Sequence, residues 1–194
     1  MSACPQVDVA LLHAPVVNRR GEVIGSAVTN LDLHDIARAC RTFGVDTYWV
    51  VTPYARQREL SRQIISHWLD GHGKTANPDR GDALSLIRLR SELTEVLVET
   101  RQKWGPDVQV VATCADRASE RMSYPYLRKR IFSGQPILLL FGTGWGLAPE
   151  VFTLVDATLS PILGSGGYNH LSVRSAVSII LDRVLGEYGD DIRK

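Results

Sequence analysis

Residues 136–185 read PILLLFGTGWGLAPEVFTLVDATLSPILGSGGYNHLSVRSAVSIILDRVL, and the rest of the chain is arranged around them. Ile137 to Phe141 is a continuous apolar run, the mark of a strand buried on both faces of a parallel sheet. It stops at Gly142-Thr143-Gly144-Trp145-Gly146, where glycine lets the backbone turn with positive φ and approach a ligand closely. A second strand is expected over 157–162, followed by Gly164, Gly166 and Gly167. A final helix is expected to open at about Leu171, because Val173, Ala176, Val177, Ile180, Leu181 and Val184 recur at helical spacing as one apolar stripe. Two glycine-rich loops at the ends of adjacent buried strands are where an open α/β sheet holds its ligand.

A Gly-x-Gly turn after a strand also suggests a dinucleotide site. Here the spacing is Gly-x-Gly-x-Gly, and the second strand runs into Leu163-Gly164-Ser165 with no acid to hold a ribose. Too little chain follows for a nucleotide-binding half. The pattern argues against a conventional Rossmann site.

Upstream, strands alternate with helices. Strands are expected at 7–12, 47–51 and 108–112, and helices at 32–43, 55–69, 83–103 and 124–132. Thr29 or Asn30 caps the first helix and Gly44 ends it. Strand, helix and strand over this length form a right-handed βαβ unit, so the sheet is parallel and covered by helices on both faces. Residues 70–82, with Gly71, Gly73, Asn77, Pro78 and Gly81, read as a loop.

Composition narrows the class. With 194 residues, 44% hydrophobic and 22% charged, the chain reads as a single domain over 1–194, burying roughly 70% of its unfolded surface. A net charge of +1 excludes a strongly basic nucleic-acid coat protein, so any nucleic-acid contact must come from local patches such as Arg19-Arg20. Cys4, Cys40 and Cys114 form neither a disulfide framework nor a zinc motif, which fits a reducing cytoplasm. The histidines lack metal-ligand spacing, so no metal is expected, and His13, His34, His67 and His72 read as structural or surface residues. Asp8 interrupts the N-terminal apolar run, so no signal peptide is expected, and no apolar stretch has the length of a membrane span.

The run LLLFGTGWGL, then Ser160-Pro161-Ile162, then Asn169-His170-Leu171-Ser172-Val173 opening a helix resembles the SPOUT superfamily of knotted RNA methyltransferases. It is most similar to the SpoU/TrmH-like pattern and to a small stand-alone group of SAM-dependent RNA methyltransferases. That resemblance implies an α/β fold with a C-terminal trefoil knot, S-adenosylmethionine as methyl donor, tRNA or rRNA as acceptor, and a homodimer with the site at its interface. It also implies that the donor lies against Ala112 and Thr113, the turn Gly142, Thr143, Gly144, Trp145, Gly146 and Leu147, then Ser160, Ile162 and Gly164, and finally Tyr168, Leu171 and Ser172. Such a donor asks little of side chains, because it carries its own leaving group and the protein binds, orients and excludes water.

The first helix adds a second likeness. Residues 30–45, NLDLHDIARACRTFGV, resemble the SpoU helix whose arginine lies near the methyl acceptor; counting back from Gly44, Arg38 takes that position and Arg41 follows one turn on. By resemblance Arg38 and Asn169 are the catalytic candidates, with Arg19, Arg20, Arg41 and His170 toward the RNA, and Arg38 acts either in its own chain or across a dimer. A guanidinium stays charged, so its role is to orient phosphate and stabilise a developing alkoxide. Two departures stand out: Asp32 occupies the place of the family's asparagine, and FGTGWGL has no glutamate. The acceptor is therefore either a ribose 2′-hydroxyl or a base nitrogen. Trp145 is either a core ring beside a tight turn or a stacking surface, and Asn169 and His170 either cap the last helix or face the acceptor. Two other readings stay open, an inactive knotted RNA-binding protein and a flavodoxin-like nucleotide binder.

Overall fold

The computed structural model describes residues 5–115, 121–166 and 168–187. In chain order the elements begin with β1 (Val7–Leu12), β2 (Val16–Val17), β3 (Val23–Ile24), α1 (Asn30–Thr42), β4 (Thr47–Val51) and α2 (Ala55–Leu69). Next come α3 (His72–Ala76), α4 (Pro78–Leu84), β5 (Ile87–Arg90), α5 (Leu93–Trp104), β6 (Gln109–Ala112) and α6 (Tyr124–Phe132). The chain closes with β7 (Ile137–Gly142), a 3-10 turn (Pro149–Leu154), β8 (Ala157–Thr158) and α7 (Val173–Leu185).

Six strands form one sheet in the order β5-β4-β1-β7-β6-β8, and every pairing in it is parallel. β1 sits at its middle and is buried along its whole length. Its side chains alternate, Val7, Val9 and Leu11 entering one core layer and Ala10 and Leu12 the other. Helices α1, α6 and α7 cover the first layer, and α5 with the 3-10 turn covers the second. Asp8 also lies wholly buried on β1, where it accepts from Lys103 Nζ at 2.8 Å and Trp49 Nε1 at 3.0 Å. Burial pushes its carboxyl up, and the Lys103 ammonium opposes that rise. The pair belongs to the N-terminal end of the sheet.

Four expectations need correction. The strands that lead into the two glycine-rich loops are not adjacent, because β6 lies between β7 and β8. β8 is short and half-buried at the sheet edge, where a full apolar strand was expected. Residues 70–82 are largely helical: Asn77 caps α4 by accepting from Arg80 N at 3.1 Å, and Pro78 stands where a helix needs no N–H. The long helix expected over 83–103 is split by β5, whose Ile87-Arg88-Leu89-Arg90 alternates with the period of a strand and pairs with β4.

The helices that frame the site start as their caps dictate. Thr29 and Asp32 form a reciprocal capping box, so α1 opens at Asn30. Ser172 caps α7 by accepting from Ser175 N at 3.3 Å, so neither Asn169 nor His170 does. Five side chains on α7, Val177, Ile180, Leu181, Val184 and Leu185, are buried against the sheet. Each contributes about 1.5–3 kcal/mol at most, enough to anchor the chain end beside α1.

Candidate functional site

The C-terminal ends of β1, β7, β6 and β8 finish level, with Leu12 beside Gly142, and Ala112 beside both Leu140 and Thr158. In an open parallel sheet this is the edge where ligands bind. The turn after β7 is clamped there by main-chain bonds. Thr143 N donates to Leu12 O at 3.2 Å, Trp145 N to Val17 O at 2.9 Å, Val17 N to Gly146 O at 3.0 Å and Ala148 N to Pro15 O at 3.2 Å. Two of its positions have no room for a Cβ. A Cβ on Gly142 would meet Leu147 N at 2.7 Å, and Gly144, at φ +62, has Val17 O at 2.9 Å from any added Cβ.

The same clamp brings the β2–β3 hairpin to the turn, and its tip carries Arg19 and Arg20. Asn18 Oδ1 accepts from Arg20 N and Glu22 N and holds the tip in shape. Arg19 lies over the Trp145 ring at 5.9 Å. Trp145 is 55% exposed, so it is no core ring. His170 meets Trp145 and Tyr168 edge-on, each with ring centroids 5.4 Å apart, and Tyr168 is 79% exposed. The two glycine-rich loops therefore touch through their aromatic residues although their strands do not.

Around the second loop, Ser160 N and Oγ both donate to Met122 O, at 2.9 and 3.0 Å. Asn169 Nδ2 donates to Ala115 O at 2.9 Å and ties the loop to the end of β6, where Thr113 N and Oγ1 both bond Leu140 O. Ile162 packs on the core, and Leu171 is exposed. Gly164 has open space around it. Between residues 161 and 171 no main-chain-to-main-chain hydrogen bond forms among the described residues. Most of the described residues in this stretch are exposed, so their main-chain groups face solvent and are open to a ligand.

Sequence reasoning missed the residues beneath the turn. His13, at the end of β1, is fully buried, and its Nδ1 lies 3.0 Å from Ser26 Oγ, which in turn bonds Thr143 Oγ1. A polar residue closing an apolar strand is the signal that marks it. Burial holds the His13 imidazole at a pKa of about 4, against a smaller opposing pull from Asp32. The neutral form is thus favoured by folding, so the stabilisation is complete above the ordinary pKa of 6.5 and is lost as pH falls toward 4. Unfolding in urea should show a loss of about 2–3 kcal/mol between pH 7 and 4.5 attributable to this group. His13→Gln should remove that part of the acid sensitivity, and equal losses in both proteins would contradict it.

Asp32 leads from His13 toward α7. Arg174 Nε stands 3.7 Å from Asp32 Oδ1, and its Nη1 is 2.7 Å from Asp35 Oδ2. Arg38 lies elsewhere on α1, in a groove shared with α2 and α4, and makes no ion pair among the described residues. Arg41 bonds Asp82 at 2.7 Å. The structure thus gathers Arg19, Trp145, Tyr168, Asn169 and His170 around the turn, and places Arg38 and Arg41 outside that group. Among the described residues no helix is long and apolar enough to cross a membrane.

Comparison with known proteins fits this geometry. A family model described as SAM-dependent RNA methyltransferase matches residues 6–186. A protein of Oleidesulfovibrio alaskensis named tRNA (guanine-N(1)-)-methyltransferase is 46% identical over 92% of this chain and 41% of its own length. An uncharacterised protein of Aquifex aeolicus is 39% identical over 92% of this chain and 87% of its own. The chain spans about two fifths of the named methyltransferase. Among solved structures, the TrmH/SpoU tRNA modifying enzyme of A. aeolicus superposes with TM-score 0.56 at 18% identity, covering 93% of this chain and 74% of that one. The SpoU methyltransferase AviRb of Streptomyces viridochromogenes, solved with AdoMet, gives 0.57 at 22% identity, covering 93% and 57%. These likenesses establish a shared fold.

Proposed function

Because the chain belongs to the family of SAM-dependent RNA methyltransferases, we propose that it transfers the methyl group of S-adenosylmethionine to a tRNA or rRNA, at a ribose 2′-hydroxyl or a base nitrogen. The observation that carries this reading is the clamped glycine turn beside a stretch of unpaired main chain at the C-terminal sheet edge. The name of one relative, a tRNA methyltransferase, supports tRNA as the acceptor, and a structural neighbour solved with AdoMet supports the donor.

The donor lies against Ala112, Thr113, Gly142 to Leu147, Ser160, Ile162, Gly164, Tyr168, Leu171 and Ser172. Free main-chain groups between 161 and 171 suit the edge of an adenine, and the room beside Gly164 suits its close approach. Bound there, S-adenosylmethionine supplies a methyl group on a sulfonium, whose S–C bond electrons stay with sulfur. The chain's residues supply position. Asn169 holds the second loop to β6, and Arg19, Arg20 and His170 hold the RNA near the turn. Arg38 stabilises the negative charge that develops on the acceptor, whose proton passes to solvent.

Arg38 stands in a groove apart from the turn, which supports a homodimer in which it serves the partner's donor. A threaded tail between β8 and α7 is the companion proposal, supported by the SpoU/TrmH likeness of the fold. Residues 1–194 then act as one domain in the cytoplasm.

The test is incubation of the purified protein with methyl-labelled S-adenosylmethionine and unmodified tRNA and rRNA transcripts, followed by nucleoside mass spectrometry. One labelled nucleoside is expected. Binding of donor and RNA without transfer would leave an inactive RNA-binding protein, and failure to bind the donor at millimolar concentration would sink the proposal.

A further inference from the structure

Helices α1, α2 and α4 enclose a groove of about 740 Å³, large enough for a nucleotide. Its walls carry Arg38 and Arg80, neither of which has an ion pair among the described residues. The one acid in the wall, Asp35, is already neutralised by Arg174 at 2.7 Å. The groove is therefore positive although the chain is nearly neutral overall. Leu31 and Leu60 line it at 55% and 56% exposure and give it an accessible apolar wall. His34 Nδ1 is buried there without a hydrogen-bond partner. Burial, with help from Arg80 and Arg38, lowers the His34 pKa, so the ring is neutral and able to accept or donate at a base edge.

We propose that this groove is a nucleotide subsite for the RNA, taking a phosphate on Arg38 and Arg80 and an unstacked base against Leu31, Leu60 and His34. Arg80 lies over the Trp68 ring at 4.7 Å, and a guanidinium stacked on a ring without a carboxylate partner still suits a phosphate, while apolar side chains flanked by an imidazole suit the face and edge of a base. The groove is tied to the first turn of α7, because Asp35 in its wall holds Arg174, two residues after the Ser172 cap. The inference rests on the methyltransferase reading above and adds where the RNA lies. Asn30 and Gln63 also line the groove, the Gln63 amide donating to Glu59 at 3.3 Å.

The test is fluorescence anisotropy of a labelled single-stranded RNA and an unmodified tRNA transcript on the full chain, across a salt series. Arg80→Ala should weaken binding about 5- to 10-fold and reduce the slope of log K against log salt by about 0.7–0.9, the value of one phosphate contact. Leu60→Glu alters an exposed residue that folding does not need, and it should weaken RNA binding by an order of magnitude or more while S-adenosylmethionine affinity stays unchanged. Unchanged RNA affinity in both variants would overturn the subsite. So would a Leu60→Glu protein that changes its sedimentation state but not its RNA affinity, since a second copy of the chain would then cover the groove. Loss of both RNA and donor binding in the unaltered protein would instead remove the methyltransferase reading itself.

Discussion

Gly142→Ala is expected to lose at least tenfold in affinity for S-adenosylmethionine and about 1–3 kcal/mol in stability, the usual cost of forcing an extra methyl into packed surroundings. The added Cβ would lie 2.7 Å from Leu147 N and 2.9 Å from Gly146 C. Both are main-chain atoms, so no side-chain rotation relieves the clash and the turn must open. Opening it strains the bonds from Trp145 N to Val17 O and from Val17 N to Gly146 O, which also hold the hairpin that carries Arg19. Gly164→Ala is the matched control for stability, because a Cβ there meets nothing within 4 Å. Thermal unfolding should barely register Gly164→Ala, while isothermal titration should show weaker donor binding if the donor approaches Gly164 closely. Equal donor affinity in Gly142→Ala and the parent would show that the turn is scaffold only.

Arg38→Ala is expected to lower the methyl-transfer rate by about 10²–10³-fold, the scale of removing one charge-stabilising group from a transition state. Stability should hardly change, since Arg38 is exposed and makes no ion pair among the described residues. Arg38→Lys should recover part of the rate at most, because an ammonium lacks the planar fork. Arg41→Ala is the informative contrast. Its exposed pair with Asp82 contributes about 0–1 kcal/mol, and transfer should continue near the parental rate. Single-turnover assays with labelled donor separate the two, and comparable losses in both variants would show that the helix, rather than one guanidinium, is being disturbed.

Much of this was legible in the chain. The apolar run at 137–141, the three glycines behind it and the stripe on the last helix are local signals, and local signals survive without tertiary context. Where elements were misjudged, a shorter-range rule had been outvoted by a longer one. Ile87-Arg88-Leu89-Arg90 has strand alternation, yet it lies between helical patterns that absorb it. Asn77-Pro78-Asp79 is a helix start hidden among glycines. Trp145, His170 and Tyr168 could be named from sequence, but their contact joins residues of two loops whose strands are separated by β6.

The sequence alone determined the parallel α/β class, the position of both glycine-rich loops and the family likeness, because strand burial, turn freedom and helical period are each written within a few neighbouring residues. Which arginine is tied to Asp82, and which makes no ion pair among the described residues, was decided only by the packing of α1 against α4. The same holds for the run from Thr143 through Ser26 to His13, and for the bridge of Arg174 to Asp32 and Asp35. These pairings join residues up to 139 apart, and no local rule reaches that distance until the sheet has brought its strand ends level.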